Sequence, residues 1–231
     1  MPNPYFQFKQ FVVRHDQCAM KVGTDGVTLG AWVRCEGASS ILDVGCGSGL
    51  IALMLAQRNS DASIVGIDID DGAVAQSEVN FAASRWADRL CVVRADIRSW
   101  STNASFDLIV SNPPYFVNSL QAPDTQRNTA RHALSLTHSD LLKFGHCHLS
   151  VQGRLAVILP PDEAQAMLNI SHQYGLAVAR TANLFTSAKA LQPKRTLMEF
   201  QRLDEMDGVN GAERLVIGGN EYKSLVNDFY L

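Results

Sequence analysis

The stretch that most constrains this chain is Ile41-Leu42-Asp43-Val44-Gly45-Cys46-Gly47-Ser48-Gly49-Leu50. Residues 41–44 form a short, largely apolar run ended by glycine, and they read as a buried strand. Three alternating glycines then break regular structure and let the chain turn sharply. Residues 50–58 follow, with Leu50, Ile51, Leu53, Met54 and Leu55 giving the density of a core-facing helix. A strand that passes through a glycine turn into a helix opens the helix's first N–H groups to a ligand at the strand's carboxyl end. It also commits the chain to a βαβ crossover, and so to a parallel sheet.

The pattern repeats downstream. Strands are expected over 63–68, 90–93, 106–110 and 153–159, the last closed by Pro160-Pro161. Helices are expected over 71–85, over 139–149 with Ser139 as N-cap, and over 162–174 with Gly175 at its left-handed end. A shorter helix over 27–32 precedes the first strand, and residues 116–138 read as a long polar loop. The segments 176–182 and 196–201 have no full helix between them and are expected to pair antiparallel at one edge. The expected fold is therefore α/β. It is a Rossmann-like, seven-stranded, mostly parallel sheet with an antiparallel edge strand and helices on both faces.

A chain of 231 residues suits one domain, 1–231, with an N-terminal extension (1–35), a Rossmann-like core (36–202) and a C-terminal element (203–231). No apolar run is long enough to span a membrane, and the first residues lack the charged and apolar parts of an export signal, so a cytoplasmic location is expected. Five scattered cysteines without C-x-x-C exclude a disulfide framework and a zinc ribbon, and read as free thiols. His146-Cys147-His148 places neighbours on different helix faces without a fourth ligand, so no metal is expected.

The net charge of −3 argues against a general nucleic-acid binder, but the charge is unevenly distributed. Residues 35–120 carry ten acids against five bases, whereas 180–202 carry Arg180, Lys189, Lys194, Arg195 and Arg202 against Glu199 alone. That second stretch is either a functional basic face or a solvated one.

Two acids sharpen the meaning of the glycine turn. Asp68 ends the second strand, where a carboxylate can accept hydrogen bonds from both ribose hydroxyls, and Asp96 ends the third at the sheet's ligand-binding edge. The turn is G-x-G-x-G, not the G-x-G-x-x-G of dinucleotide sites. The spacing leans toward S-adenosylmethionine, which carries no pyrophosphate but needs close backbone approach at its carboxylate and ammonium. Together these features resemble the class I S-adenosylmethionine-dependent methyltransferases.

Ser111-Asn112-Pro113-Pro114-Tyr115 follows the fourth strand directly. The Asn112 amide oxygen and the Pro113 carbonyl can each accept a hydrogen bond from a planar exocyclic NH₂. Those bonds draw the nitrogen toward tetrahedral geometry and localise its lone pair for in-line attack on a methyl group. Pro114 stiffens the loop, and Tyr115 offers a stacking face. N-P-P-Y resembles the motif of amino-methyltransferases that act on adenine, cytosine or glutamine amides.

The whole chain is similar to one family, the bacterial tRNA1(Val) adenine-37 N6-methyltransferases. The likeness rests on Phe8-Lys9-Gln10-Phe11, Lys21-Val22-Gly23-Thr24-Asp25-Gly26, Asn112 to Tyr115, Gln126-Arg127 with Arg131, Pro193-Lys194-Arg195, Arg214-Leu215-Val216-Ile217 and Phe229-Tyr230-Leu231. Cys46 departs from the alanine of that family, at a turn position where only the backbone is expected to matter. The resemblance implies methylation of the adenine 3′ of the anticodon in one valine tRNA, with Asn112, Pro113, Pro114 and Tyr115 catalytic. It implies a donor site of Lys21, Thr24, Asp25, Asp43, Gly45, Gly47, Gly49, Asp68, Ile69, Asp96, Ile97 and Asn112. Arg127, Arg131, Lys194 and Arg195 become candidate RNA contacts, with tRNA the expected partner of a monomer or weak dimer. Methylation of another RNA adenine or of a protein glutamine, non-catalytic donor and RNA binding, and nicotinamide chemistry are the competing readings.

Overall fold

The computed structural model describes residues 3–18, 20–114, 136–205 and 211–231. Tyr5–Gln7 (β1) and Val12–Arg14 (β2) form an antiparallel hairpin, followed by Thr24–Trp32 (α1), Ser40–Val44 (β3), Leu50–Arg58 (α2), Ser63–Asp68 (β4) and Asp71–Ala82 (α3). Leu90–Arg94 (β5) and Phe106–Ser111 (β6) come next, then His138–His148 (α4), Leu149–Leu159 (β7) and Pro161–Ser171 (α5). Leu176–Phe185 (β8), Arg195–Arg202 (β9), Glu213–Val216 (β10) and Asn220–Val226 (α6) close the described chain.

The main sheet runs β10-β8-β9-β7-β6-β3-β4-β5, and every neighbouring pair is parallel except those made by β9. The Rossmann-like, mostly parallel sheet is as expected, with two differences in detail. It has eight strands, because Glu213–Val216, too short to read as a strand from its sequence, adds to β8. The antiparallel strand lies toward one edge but inside it: β8 and β9 pair antiparallel as expected, and β9 folds back between β7 and β8.

Side chains alternate across β3, β6 and β7 into two cores. Ile41, Leu108, Val110, Ala156 and Ile158 face one core, which α1, α2 and Phe81 of α3 fill. Leu42, Val44, Ile109, Leu155 and Val157 face the other, filled from α4 and α5 by Leu141, Leu142, Phe144 and Met167. Helices thus cover both faces. Near-continuous apolar runs are what a doubly covered parallel sheet demands.

Several boundaries move for local reasons. α1 begins at Thr24, three residues before the expected start at Val27, because extended Gly23 caps it and Asp25 suits its first turn. α3 ends at Ala82, where the Ser84 hydroxyl donates to the Phe81 carbonyl at 2.8 Å. Thr137, not Ser139, caps α4: its side chain accepts the Asp140 N–H at 3.1 Å while the Asp140 carboxylate accepts the Thr137 N–H at 3.0 Å. β7 starts at Leu149, ahead of Gly153, through an irregularity opposite β6.

The termini pack on the first core. Phe8, Phe11 and Phe229 are buried there, and the Lys9 N–H donates to the Phe229 carbonyl at 2.8 Å. Buried Asn80 of α3 accepts the Arg14 N–H at 2.9 Å and donates to the Arg14 and Ser48 carbonyls, each at 2.8 Å. One side chain therefore ties β2 to the glycine turn, and so places the segment after β2 over the sheet's carboxyl edge. Among the described residues no helix is long and apolar enough to cross a membrane.

Candidate active site

β3 has β4 on one side and β6 on the other, which makes its carboxyl end the point where strand order reverses and a crevice opens. The glycine turn forms the floor of that crevice. Gly45 and Gly47 adopt φ of 69° and 55°, and a Cβ on either would project into open space. Gly49, at φ 75°, is confined for another reason, because a Cβ there would strike the Phe81 ring. The Gly45 and Cys46 N–H groups both donate to the Ile67 carbonyl, at 2.8 and 3.0 Å, which locks the turn to β4. The Cys46 side chain is buried, with Sγ 3.6 Å from Ser77 Oγ.

Two cavities meet over this floor, and Met20, Gly45, Gly47 and Asn112 line both. The first, about 230 Å³, is walled by Asp68, Ile69, Asp96, Ile97 and Pro114. The second, about 300 Å³, is walled by Lys21, Thr24, Asp25, Gly26 and Lys194. Beside the second, α1 sits close on α2. A Cβ at Gly26 would lie 3.1 Å from Leu50 Cδ2, and one at Gly30 2.9 Å from Met54 Sδ. The Asn112 amide nitrogen also approaches Gly26, 3.9 Å from where a Cβ would stand.

The acids are held individually. Asp68 accepts the Gly47 N–H at 2.9 Å and the Asp70 N–H at 3.0 Å, so it braces the turn as well as facing the first cavity. Asp96 is gripped by the Arg98 guanidinium, with Nη2 to Oδ2 at 2.6 Å, and these hydrogen bonds hold its carboxyl below the usual range. Asp43 is fully buried beneath the turn. Its Oδ2 accepts the Ala52 N–H at 3.1 Å, and its Oδ1 has no partner. Burial pushes Asp43 up to about 7, opposed by the Ala52 N–H and assisted by the charge of Asp68. Cys18, on the first cavity's wall, is raised to about 11 by burial and then by Asp68, Asp70 and Asp16.

The structure gathers most of the expected site. Lys21, Thr24, Asp25, Gly45, Gly47, Asp68, Ile69, Asp96, Ile97, Asn112, Pro114 and Lys194 line one cavity or both. Asp43, Gly49 and buried Pro113 stand behind the wall. Tyr115, Arg127, Arg131 and residues 116–135 of the expected loop lie outside the described residues. The basic stretch is not a continuous free face. Arg195 pairs with Asp25 at 2.7 Å, Arg180 pairs with Glu213 at 2.7 Å and lies over Trp32, and Arg202 donates to the His146 and Leu149 carbonyls. Sequence reasoning missed Cys18, Met20 and Arg98. Only Arg98 carried a local signal, a cation two residues after an acid at a strand end. Among the described residues no group of His, Cys, Asp or Glu could hold a metal ion.

These residues fit the sulfonium donor expected from the sequence. The glycine cradle leaves room that a Cβ would fill, a buried carboxyl oxygen lacks a partner, and of the two joined cavities one sets acids beside Ile67, Ile69 and Ile97 while the other adds Lys21, Thr24 and Asp25.

Fold and crevice together define a Rossmann-like methyltransferase. Residues 32–159 match the methyltransferase small domain family. Over its whole length the chain is 46% identical to a tRNA1(Val) (adenine(37)-N6)-methyltransferase of Bacteroides thetaiotaomicron, covering 99% of that protein. It is 38% identical to the protein of the same name from Klebsiella pneumoniae, again over the whole chain and 96% of the relative. Among solved structures, a predicted O-methyltransferase from Agrobacterium tumefaciens superposes with a TM-score of 0.64 at 15% identity, covering 89% of this chain and 96% of that one. A TehB-like methyltransferase from Corynebacterium glutamicum gives 0.52 at 20% identity, covering 78% and 89%. The chain belongs to the tRNA1(Val) (adenine(37)-N6)-methyltransferase family.

Proposed function

We propose that this protein, as one methyltransferase domain, transfers a methyl group from S-adenosylmethionine to N6 of an adenine in tRNA, namely adenine 37 beside the anticodon of tRNA1(Val). The observation that carries the reading is the place of Asn112. It follows β6 at the sheet's carboxyl edge and lines both cavities, so one amide meets both halves of the site. The names of the full-length relatives supply the substrate.

The donor, when bound, supplies a methyl group made electrophilic by its positive sulfur. Asp68 would accept from the donor's ribose hydroxyls, Ile69 and Ile97 would flank its base, and Asp96 would accept from the base's amine. Lys21, Thr24 and Asp25, with the backbone of Gly45 and Gly47, take the amino-acid end. Asp43 places acidic character beneath the turn, and Gly49 keeps the turn seated on Phe81.

The Asn112 amide oxygen and the Pro113 carbonyl accept the two hydrogens of the target amine. They localise its lone pair and are bonded more strongly as the nitrogen becomes positive in the transition state. Once that nitrogen carries the methyl group, the amine's proton leaves to water. Pro114 stiffens the loop, and Tyr115 stacks on the target base. Lys194, on the cavity wall, and Arg127 and Arg131 contact phosphates; Arg195, paired with Asp25, instead holds α1 in place.

Incubation with labelled donor and total tRNA, followed by mapping of the modified base, tests the reading. N6-methyladenine at position 37 of one valine tRNA is the expected result. Label at another RNA adenine or on protein glutamine would move the activity to the competing substrates.

A further inference from the structure

We infer that the turn 186–194, between β8 and β9, is a docking finger for the unpaired bases of an RNA stem-loop. The inference rests on the tRNA reading above and adds a surface that reading does not specify.

Residues 186–195 carry Lys189, Lys194 and Arg195 and no acid. Lys194 lines the second cavity, so the finger rises from the rim of the active site. At its tip Leu191 is 95% exposed, more than any other large apolar side chain among the described residues. One exposed leucine is unremarkable by itself. This one stands on a turn whose two arms are both braced.

The Lys194 N–H donates to the Leu184 carbonyl at 2.7 Å, and the Ala190 N–H to the Ser187 carbonyl at 3.1 Å. Arg214 reaches across from β10, lies 3.5 Å over the Phe185 ring, and donates to the Ala188 and Ala190 carbonyls at 3.4 and 3.2 Å. At the finger's base, Arg195 is tied to Asp25 of α1, itself on the cavity wall. The arrangement also gives a purpose to Arg214-Leu215-Val216-Ile217, since β10 brings the clasp that holds the finger.

A braced turn that keeps an apolar tip in water, between exposed lysines, buries nothing for the fold. It matches a ligand with flat apolar faces joined by phosphates, which describes the splayed bases of a nucleic-acid loop. An acidic peptide would answer the charge but not the tip.

The test uses the full chain and a fluorescent anticodon stem-loop of the valine tRNA, with binding read at several salt concentrations and donor binding read by calorimetry. Leu191→Ser should weaken stem-loop binding about tenfold without changing its salt slope, because an apolar contact releases no counterions. Leu191→Phe should restore it, which a merely structural role would not require. Lys189→Ala should reduce the salt slope by about 0.7 for one lost single-strand phosphate contact. None of the three should alter donor affinity. Stem-loop binding by Leu191→Ser within about twofold of wild type, or a Leu191→Phe variant as weak as the serine one, overturns the finger. If the wild type methylates tRNA while the Leu191 variants bind normally, only the finger falls. If the wild type labels no RNA, the functional reading falls and the finger with it.

Discussion

At the β3–β5 end of the sheet, acids sit where parallel strands stop. Asp68 and Asp96 face the first cavity, and the loops that line it hold them: Asp68 accepts the Gly47 and Asp70 N–H groups, and Asp96 is gripped by Arg98 two residues on. At the β8–β10 end the charges are basic in sequence but largely internal in the fold. Arg180 joins Glu213 and Glu199, Arg34 donates to Glu199 at 3.1 Å, and Arg195 joins Asp25. A run of like charge along a sequence therefore says little about the surface. At one end backbone N–H groups set the acids on the wall of a cavity; at the other, long-range pairing turns the cations into struts. Lys189 and Lys194 stay exposed at the turn between β8 and β9.

The largest expected effect falls where the two ends meet. Asn112→Ala should lower the single-turnover rate of tRNA methylation by about 10²–10³, the order seen when one preorganised transition-state hydrogen bond is removed, with donor affinity near normal. A rate within about threefold of wild type would make the Asn-Pro-Pro segment structural and remove the link between the ends.

Next comes the strut end. Glu199 is 0% exposed and serves the Arg34 N–H at 2.8 Å as well as two guanidinium groups. Glu199→Ala leaves those donors without their acceptor and should cost about 3 kcal/mol in denaturant unfolding. Donor binding by the remaining folded protein should be unchanged. A stability loss below about 1 kcal/mol would show that the network is as slack as an exposed pair.

At the ligand end, Asp68→Ala should weaken donor binding at least about tenfold, since a charged acceptor's hydrogen bonds are worth roughly 1.5–3 kcal/mol each. Because Asp68 also accepts the Gly47 N–H, the variant should melt slightly earlier as well. Unchanged donor affinity in a calorimetric titration would limit Asp68 to bracing the turn.

The same contrast explains what was legible in the sequence. Residues 41–44, 50–58 and 63–68 announce themselves as apolar runs on either side of a glycine turn, and the structure places β3, α2 and β4 there. Asp68, Asp96 and Asn112 were accessible for a related reason: each lies at a strand's carboxyl end, and parallel sheets bind ligands there. β10 was not legible, because Glu213-Arg214-Leu215-Val216 is too short for periodicity and becomes a strand only by pairing with β8. Nor was the partnership of Arg195 with Asp25, which joins residues 170 positions apart. Met20 and Cys18 reach the cavities because Asn80 and Gln76 pin the backbone near them, at Arg14 and Gln17, to α3, a tertiary cause with no local mark.

The last contrast lies between the two buried acids. Glu199 has cations beside it, whereas Asp43 has one N–H and a neighbouring negative charge at Asp68. Its carboxyl is raised from 3.8 to about 7 in the folded protein, mainly by burial. Between those values the folded state holds a proton that the unfolded chain has released. Stability should therefore fall as pH rises from about 4 to 7, by at most about 1.4 kcal/mol per pH unit, and the contribution should be flat above that window. Asp43→Asn keeps an acceptor for the Ala52 N–H and cannot ionise, so its denaturation midpoints should lack this part of the slope. Saturating S-adenosylmethionine sharpens the measurement, since an ammonium near the turn favours the ionised carboxylate and should flatten the wild-type slope. If wild type and Asp43→Asn lose stability in parallel across the window, Asp43 is no more burdened than the paired Glu199, and the contrast between the two buried acids fails.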